Sequence, residues 1–212
     1  MGRRNGARPS SARGGMRARI AAAAARIMAE EGIDDFALAK RKAARRLGAA
    51  DREALPGNDE IEAELRDYLA LYQADAHPER ISELRRVALE AMRALERFNP
   101  YLTGPVLAGL AGPYAEIDLQ LFPESSKEVE LFLLDRNLAY EASDERRYTG
   151  DRTRAAAIIS LSWLGVPLRL SVFDPRDERS ALKTSLAGRV AARAGIAEVE
   201  ALLGAGQGQV GS

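Results

Sequence analysis

Cysteine is absent from the 212 residues, which excludes disulfides, thiolate zinc sites and cysteine nucleophiles together. Histidine occurs once, as His77 ahead of Pro78, in a stretch that reads as a helix-opening turn. A single imidazole cannot build a multi-histidine metal centre, and a Ser-His-Asp triad would have to run through it, so a structural role is expected for it. Long apolar runs are missing: nothing approaches the roughly 20 residues of a membrane-spanning helix, and Ala21–Ala25 is too short and too weakly apolar to count. A soluble, cytoplasmic protein without a membrane partner is expected. No Gly-x-x-x-x-Gly-Lys-Ser/Thr loop occurs, which disfavours an ATP-driven ligase. Net charge is lacking as well, with 31 Lys+Arg against 31 Asp+Glu, so bulk electrostatics supply no general pull toward nucleic acid.

The charge that is present is unevenly spread. Residues 1–19 hold six arginines and no acid among Gly, Ser and Pro, without the apolar segment of a secretory signal. Residues 1–16 are therefore expected to form a disordered basic tail. The preference for arginine over lysine along the chain is what a GC-rich bacterial genome would produce.

Over residues 17–98 the apolar positions fall at helical spacing, and stop signals divide them into four segments. The first carries Ile20, Ala24, Ile27 and Met28 and ends at Gly32; the second carries Phe36, Ala39, Ala43 and Leu47 and ends at Gly48. After the turn residues Pro56-Gly57-Asn58, a third aligns Ile61, Leu65, Tyr68, Leu69 and Tyr72. Pro78 opens a fourth, with Ile81, Leu84, Ala88, Met92 and Leu95 in register. A small helical bundle over residues 17–98 is expected. Its first two helices resemble the DNA-binding start of tetracycline-repressor-like regulators, and Lys40, Arg41, Lys42, Arg45 and Arg46 make the second strongly basic. Gly48 to Asn58 reads as a loop where such a motif turns tightly into its base-reading helix, so DNA binding is a lesser alternative.

At Asn99-Pro100 the periodicity changes. Val106–Leu107 and Ile117, Leu119 and Leu121 read as strands, Glu124 to Asn137 as a helix, and Tyr140–Ser143 as a short extended piece. Ala155–Trp163 and Val166–Phe173, joined at Gly165, read as a β-hairpin. Ser180–Leu203 reads as helical and residues 204–212 as a disordered tail. The expected class is α+β: an N-terminal helical region, then over residues 99–203 a small mixed β-sheet with helices on one side.

The chemistry concentrates between Thr103 and Phe122. Alternation along a strand turns Glu116, Asp118 and Gln120 to one face and Ile117, Leu119 and Leu121 to the core. Two carboxylates held side by side repel each other unless a cation lies between them, and Mg²⁺ prefers such oxygen ligands. Glycines upstream allow the backbone to approach a phosphate closely. Gly104-Pro105, ten intervening residues and Glu116-Ile117-Asp118 resemble the signature of the polymerase-β-like nucleotidyltransferase superfamily, a Gly-Ser turn followed by acid-apolar-acid on a strand. The resemblance covers about Thr103–Asp174, and the whole chain is similar to proteobacterial proteins that join a helical N-terminal region to such a segment.

That resemblance implies a nucleotidyltransferase-type sheet and Mg²⁺-dependent transfer of a nucleotidyl group from a nucleoside triphosphate to an acceptor that the sequence does not identify. By position, Glu116 and Asp118 would be the catalytic metal ligands, and Gly104, Pro105, Gly109 and Arg169 would line the nucleotide. Pro105 stands where the family has serine, Glu116 where it has aspartate, and Arg169 or Ser171 where it carries a third carboxylate. These departures suit a catalytically silent relative that binds a nucleotide or a protein. Glu141, Asp144 or Asp174 could supply the third carboxylate only in another strand register. Arg146, Arg147, Arg152 and Arg154 flank the sheet and read as a solvated loop.

Overall fold

Helix and strand boundaries in this chain are set by short polar caps and by glycines that accept positive φ. The computed structural model of the protein describes residues 10–33, 35–49, 55–72, 76–112, 114–149, 152–179, 182–183 and 192–207; the side chains of 10–14, 76, 144–149, 152–156 and 182–183 lie outside that description. The chain divides into two compact units, residues 1–75 with 112–114, and residues 76–111 with 115–212.

The first unit contains α1 (Ser10–Glu31), α2 (Phe36–Arg46) and α3 (Asn58–Tyr72). Helix α1 begins inside the stretch whose composition suggested a disordered tail, so residues 10–16 are helical; residues 1–9 are outside the description. It closes at Gly32, whose φ of +67° a residue with a Cβ rarely adopts. Asp35 caps α2 by accepting from the N–H groups of Ala37 and Leu38 at 2.7 and 3.2 Å. Glu60 reaches back from the first turn of α3 and accepts from the Gly57 N–H at 2.6 Å, one half of a capping box. The expected stripe of Ile20, Ala24, Ile27 and Met28 is buried, joined by Ala21, Ala25 and Ala29. Ala39 and Ala43 of α2 and Ile61, Leu65 and Leu69 of α3 complete the buried set.

The second unit contains α4 (Ala76–Ala94), β1 (Tyr101–Thr103), α5 (Gly104–Ala108), β2 (Ile117–Leu121), α6 (Ser126–Asp135), β3 (Tyr140–Thr149), β4 (Arg152–Trp163), β5 (Val166–Val172), β6 (Leu182–Lys183) and α7 (Ile196–Gln207). Helix α4 was expected in the N-terminal bundle, but it belongs here: Leu84, Ala88, Met92 and Leu95 share one core with the sheet. The sheet order is β1-β2-β5-β4-β3-β6, with β2 and β5 parallel and the other pairs antiparallel, so the unit is α+β with a mixed sheet. Ile117, Leu119 and Leu121 of β2 and Leu168, Leu170 and Val172 of β5 pack with α4 and with Val129, Phe132 and Leu133 of α6 on one face.

Several expectations need correction. Val106–Leu107 lie in helix α5: Pro105 suits a first helical turn, Gly109 ends it at φ +71°, and the first strand is Tyr101–Thr103. The extended piece at Tyr140–Ser143 continues to Thr149, because antiparallel pairing with β4 carries the backbone past the point where apolar alternation ceases. The arginines 146, 147, 152 and 154 are therefore strand residues in backbone terms, although their side chains, like that of Asp144, lie outside the description. Within Ser180–Leu203, residues 180–181 and 184–191 lie outside the description; among the described residues Leu182–Lys183 pair with β3, Ala194 pairs with Leu102, and the helix begins at Ile196. That helix runs to Gln207, beyond the expected start of the C-terminal tail. The hairpin at Leu164-Gly165 forms as expected, with positive φ at both turn residues.

Candidate functional site

Because β2 alternates, its second face carries Asp118 and Gln120 while its first is buried in the core. Register fixes their neighbours. Thr103 of β1 and Arg169 of β5 stand on either side of Asp118, with Ser160 of β4 and Glu141 of β3 continuing the row. One step along the strands, Tyr101, Gln120, Ser171 and Ile158 form the next row. Further on, Phe122 and Phe173 stack with ring centroids 5.8 Å apart, and Tyr101 meets the Phe122 ring edge-on at 5.8 Å. The face thus grades from charged, through amide and hydroxyl, to aromatic.

Gly104 lies against this face. It has φ +71°, and a Cβ built there would come within 2.6 Å of Asp118 Oδ2. The positive φ favours glycine and a Cβ would have to displace the carboxylate, so the main chain of the β1–α5 junction lies close against Asp118. Helix α5 is held by α4. Arg85 donates from Nε to the Val106 carbonyl at 3.2 Å and from Nη2 to the Leu107 carbonyl at 2.8 Å. The Nε2–H of His77 donates to the Gly109 carbonyl at 3.0 Å. These bonds engage carbonyls at the C-terminal end of α5, where the helix runs out of its own donors; the Val106 carbonyl also accepts from the Gly109 N–H at 3.4 Å. Burial lowers the Arg85 pKa from its ordinary value, as expected for a cation facing carbonyls and no carboxylate. The single histidine therefore has the structural role its isolation implied.

The residues expected to form the site are only partly gathered. Gly104, Asp118 and Arg169 meet on one face. Pro105 lies in the first turn of α5, and its carbonyl accepts from the Leu110 N–H at 2.8 Å. Gly109 ends the same helix about 7 Å further on, where its carbonyl is taken by His77. Glu116 precedes β2 and is half-buried. Of the alternative third carboxylates, Asp144 lies outside the described side chains, and Glu141 and Asp174 do not converge on Asp118. Glu141 is three strands away, about 14 Å, and Asp174 accepts from the Arg176 N–H at 2.8 Å. Arg169 occupies the β5 position beside Asp118. Among the described residues, no group of three His, Asp or Glu is arranged to hold a metal ion.

Sequence reasoning missed Arg193. Ala194 exchanges backbone hydrogen bonds with Leu102 at 2.8 and 2.9 Å, adding a bridge at the edge of β1. Arg193 then extends over the Tyr101 ring, 4.6 Å from its centroid. Nothing in the local sequence signals that pairing. The only available hint was the apolar Ala194 set beside a charged residue ahead of a helix.

Among the described residues, no helix is long and apolar enough to cross a membrane. The chain matches no protein-family model, and no curated protein or solved structure matches it.

Proposed function

We propose that the second unit binds a nucleoside triphosphate on the Asp118 face of a nucleotidyltransferase-like sheet and holds it without transferring the nucleotidyl group. The observation that carries this reading is the register Asp118↔Arg169. A two-metal transfer site needs a carboxylate on that neighbouring strand, and a guanidinium there opposes a second cation while favouring phosphate oxygens. The donor set does not fit a pair of Mg²⁺ ions. Pro105 speaks against transfer, since it lacks the hydroxyl and the N–H that would position the phosphates there, and leaves the Arg169 guanidinium as the phosphate contact of this reading. Support for nucleotide comes from Gly104, whose positive φ favours glycine where the main chain approaches the acid.

A second reading, Mg²⁺-dependent nucleotidyl transfer through Glu116 and Asp118, is favoured by that same approach of Gly104 to Asp118. The two differ in the sign of one mutation. Calorimetric titration of nucleoside triphosphates, with and without Mg²⁺, is made on the wild-type chain, Arg169→Ala and Asp118→Ala. A silent binder takes nucleotide without Mg²⁺, weakens by roughly tenfold or more in Arg169→Ala, and holds or gains affinity in Asp118→Ala, because a carboxylate repels phosphate. A transferase needs Mg²⁺, loses binding in Asp118→Ala and releases pyrophosphate. No binding by any triphosphate removes both readings.

A further inference from the structure

Gln120 is the polar residue this face explains least. It lies on β2 about 7 Å beyond Asp118, is 8% exposed, and its Oε1 is buried with no hydrogen-bond partner among the described residues. A buried acceptor left unsatisfied destabilises the free protein, and such a group calls for an explanation beyond folding. Another such atom on the unit's polar side belongs to Arg193. Ala194 and Leu102 are paired and both lie in the core, so strand alternation turns Arg193 to the opposite face, the one that carries Tyr101 and Gln120. Its guanidinium covers the Tyr101 ring and lies 5.9 Å from the Phe122 centroid, while its Nη1 is buried with no hydrogen-bond partner among the described residues.

An acceptor, a donor and aromatic rings on one face, adjoining the charged row, are complementary to a planar group that presents a donor and an acceptor along one edge. A further phosphate or a carboxylate would satisfy Arg193 and leave the Gln120 acceptor buried and unbonded. A nucleobase satisfies both, with an N–H donating to Gln120 Oε1 and a ring nitrogen or carbonyl accepting from Arg193 Nη1. We propose that Gln120 and Arg193 read the base of the bound nucleotide, and so determine which nucleoside triphosphate the chain selects. This rests on the nucleotide-binding reading above and adds the specificity that the Asp118–Arg169 row cannot supply, since every nucleotide carries the same phosphates.

Tripolyphosphate and the four ribonucleoside triphosphates are titrated into the full chain without metal, for wild type, Gln120→Met and Arg193→Met. The expected result is that one nucleotide binds wild type at least tenfold more tightly than tripolyphosphate, and that both variants erase this ratio. Gln120→Met should leave the tripolyphosphate affinity within about twofold and melt above wild type, because an unsatisfied acceptor has been replaced by an apolar group of similar size. Nucleotides that bind no better than tripolyphosphate, a ratio that survives Gln120→Met, or a Gln120→Met chain that melts below wild type would each overturn the proposal and leave phosphate binding intact. If tripolyphosphate and every nucleotide fail alike, the nucleotide-binding reading falls and this proposal with it.

Discussion

In the helical unit, basic side chains are matched by carboxylates of the same unit. Arg17 pairs with Glu60, Arg26 with Glu30, and both Lys42 and Arg46 with Glu31, while Lys40 donates to Asn58 Oδ1 at 2.6 Å. Much of the basic face that suggested DNA binding is thus engaged in holding helices to one another, with Arg41 and Arg45 left at the exposed surface. In the sheet unit, polar residues instead lie in rows across a face opposite the core, set there by strand register. A helix distributes its polar residues around a cylinder, where partners are found locally; a sheet gathers residues distant in sequence onto one plane. The two cores differ in the same way. The helical unit buries many alanines and lets backbones approach closely, whereas the sheet unit buries leucine, isoleucine and phenylalanine.

The sharpest way to break this comparison is Leu119→Ala. Leu119 is 1% exposed in the sheet core, and truncation there is expected to cost about 2–5 kcal/mol, measured by urea denaturation. Hydrogen exchange should lose protection in β2, β5 and α4; an equal loss in α1 and α3 would mean that the two cores do not respond separately. The converse test fills the small-residue core. Ala24 is fully buried in α1, so the added methylenes of Ala24→Leu must displace neighbouring side chains and should cost about 1–3 kcal/mol by the same measurement. A neutral result would mean that the alanines are not closely packed.

Gly104→Ala comes next. The substitution puts a Cβ at φ +71° and 2.6 Å from Asp118 Oδ2, a strain of about 1–3 kcal/mol. The carboxylate can move to relieve the clash, so the stability loss should fall at the low end while triphosphate affinity drops at least tenfold. A variant that is destabilised but binds normally would detach the glycine from the site.

Much of this was legible wherever the determining interactions are local. The alternation Ile117-Asp118-Leu119-Gln120-Leu121 announced both faces of β2, Leu164-Gly165 announced the hairpin, and Gly32 announced the end of α1. The pairing of Asp118 with Arg169 could be anticipated because both strands were recognisable. What failed depends on partners distant in sequence. The charged half of β3 is a strand only because β4 lies beside it. Arg193 joins the polar face through one bridge to Leu102, and α4 shares its apolar stripe with the sheet unit, although periodicity alone would suit either unit. Residues 106–107 were misread because two apolar residues carry no period, and Pro105 was the better guide.

The smallest expected effect lies in the helical unit and is a matter of pH. The Arg17 guanidinium, followed by the Gly57 N–H, holds the Glu60 carboxyl down from 4.5 to about 2. A carboxyl whose pKa is depressed on folding contributes stability that is fully present above its unfolded value and is lost as pH falls through the folded one. The contribution should therefore be complete above about pH 5 and vanish toward pH 2. The Glu60 side chain is 39% exposed, so solvent screening keeps the ion pair below about 1 kcal/mol. Glu60→Gln retains an oxygen for the Gly57 N–H and removes only the charge. Wild type should exceed the variant by this small margin at pH 7, the margin should shrink with added salt, and the two melting curves should converge as pH approaches 2. A difference that persists at pH 2 would mean that charge does not account for the effect of the substitution.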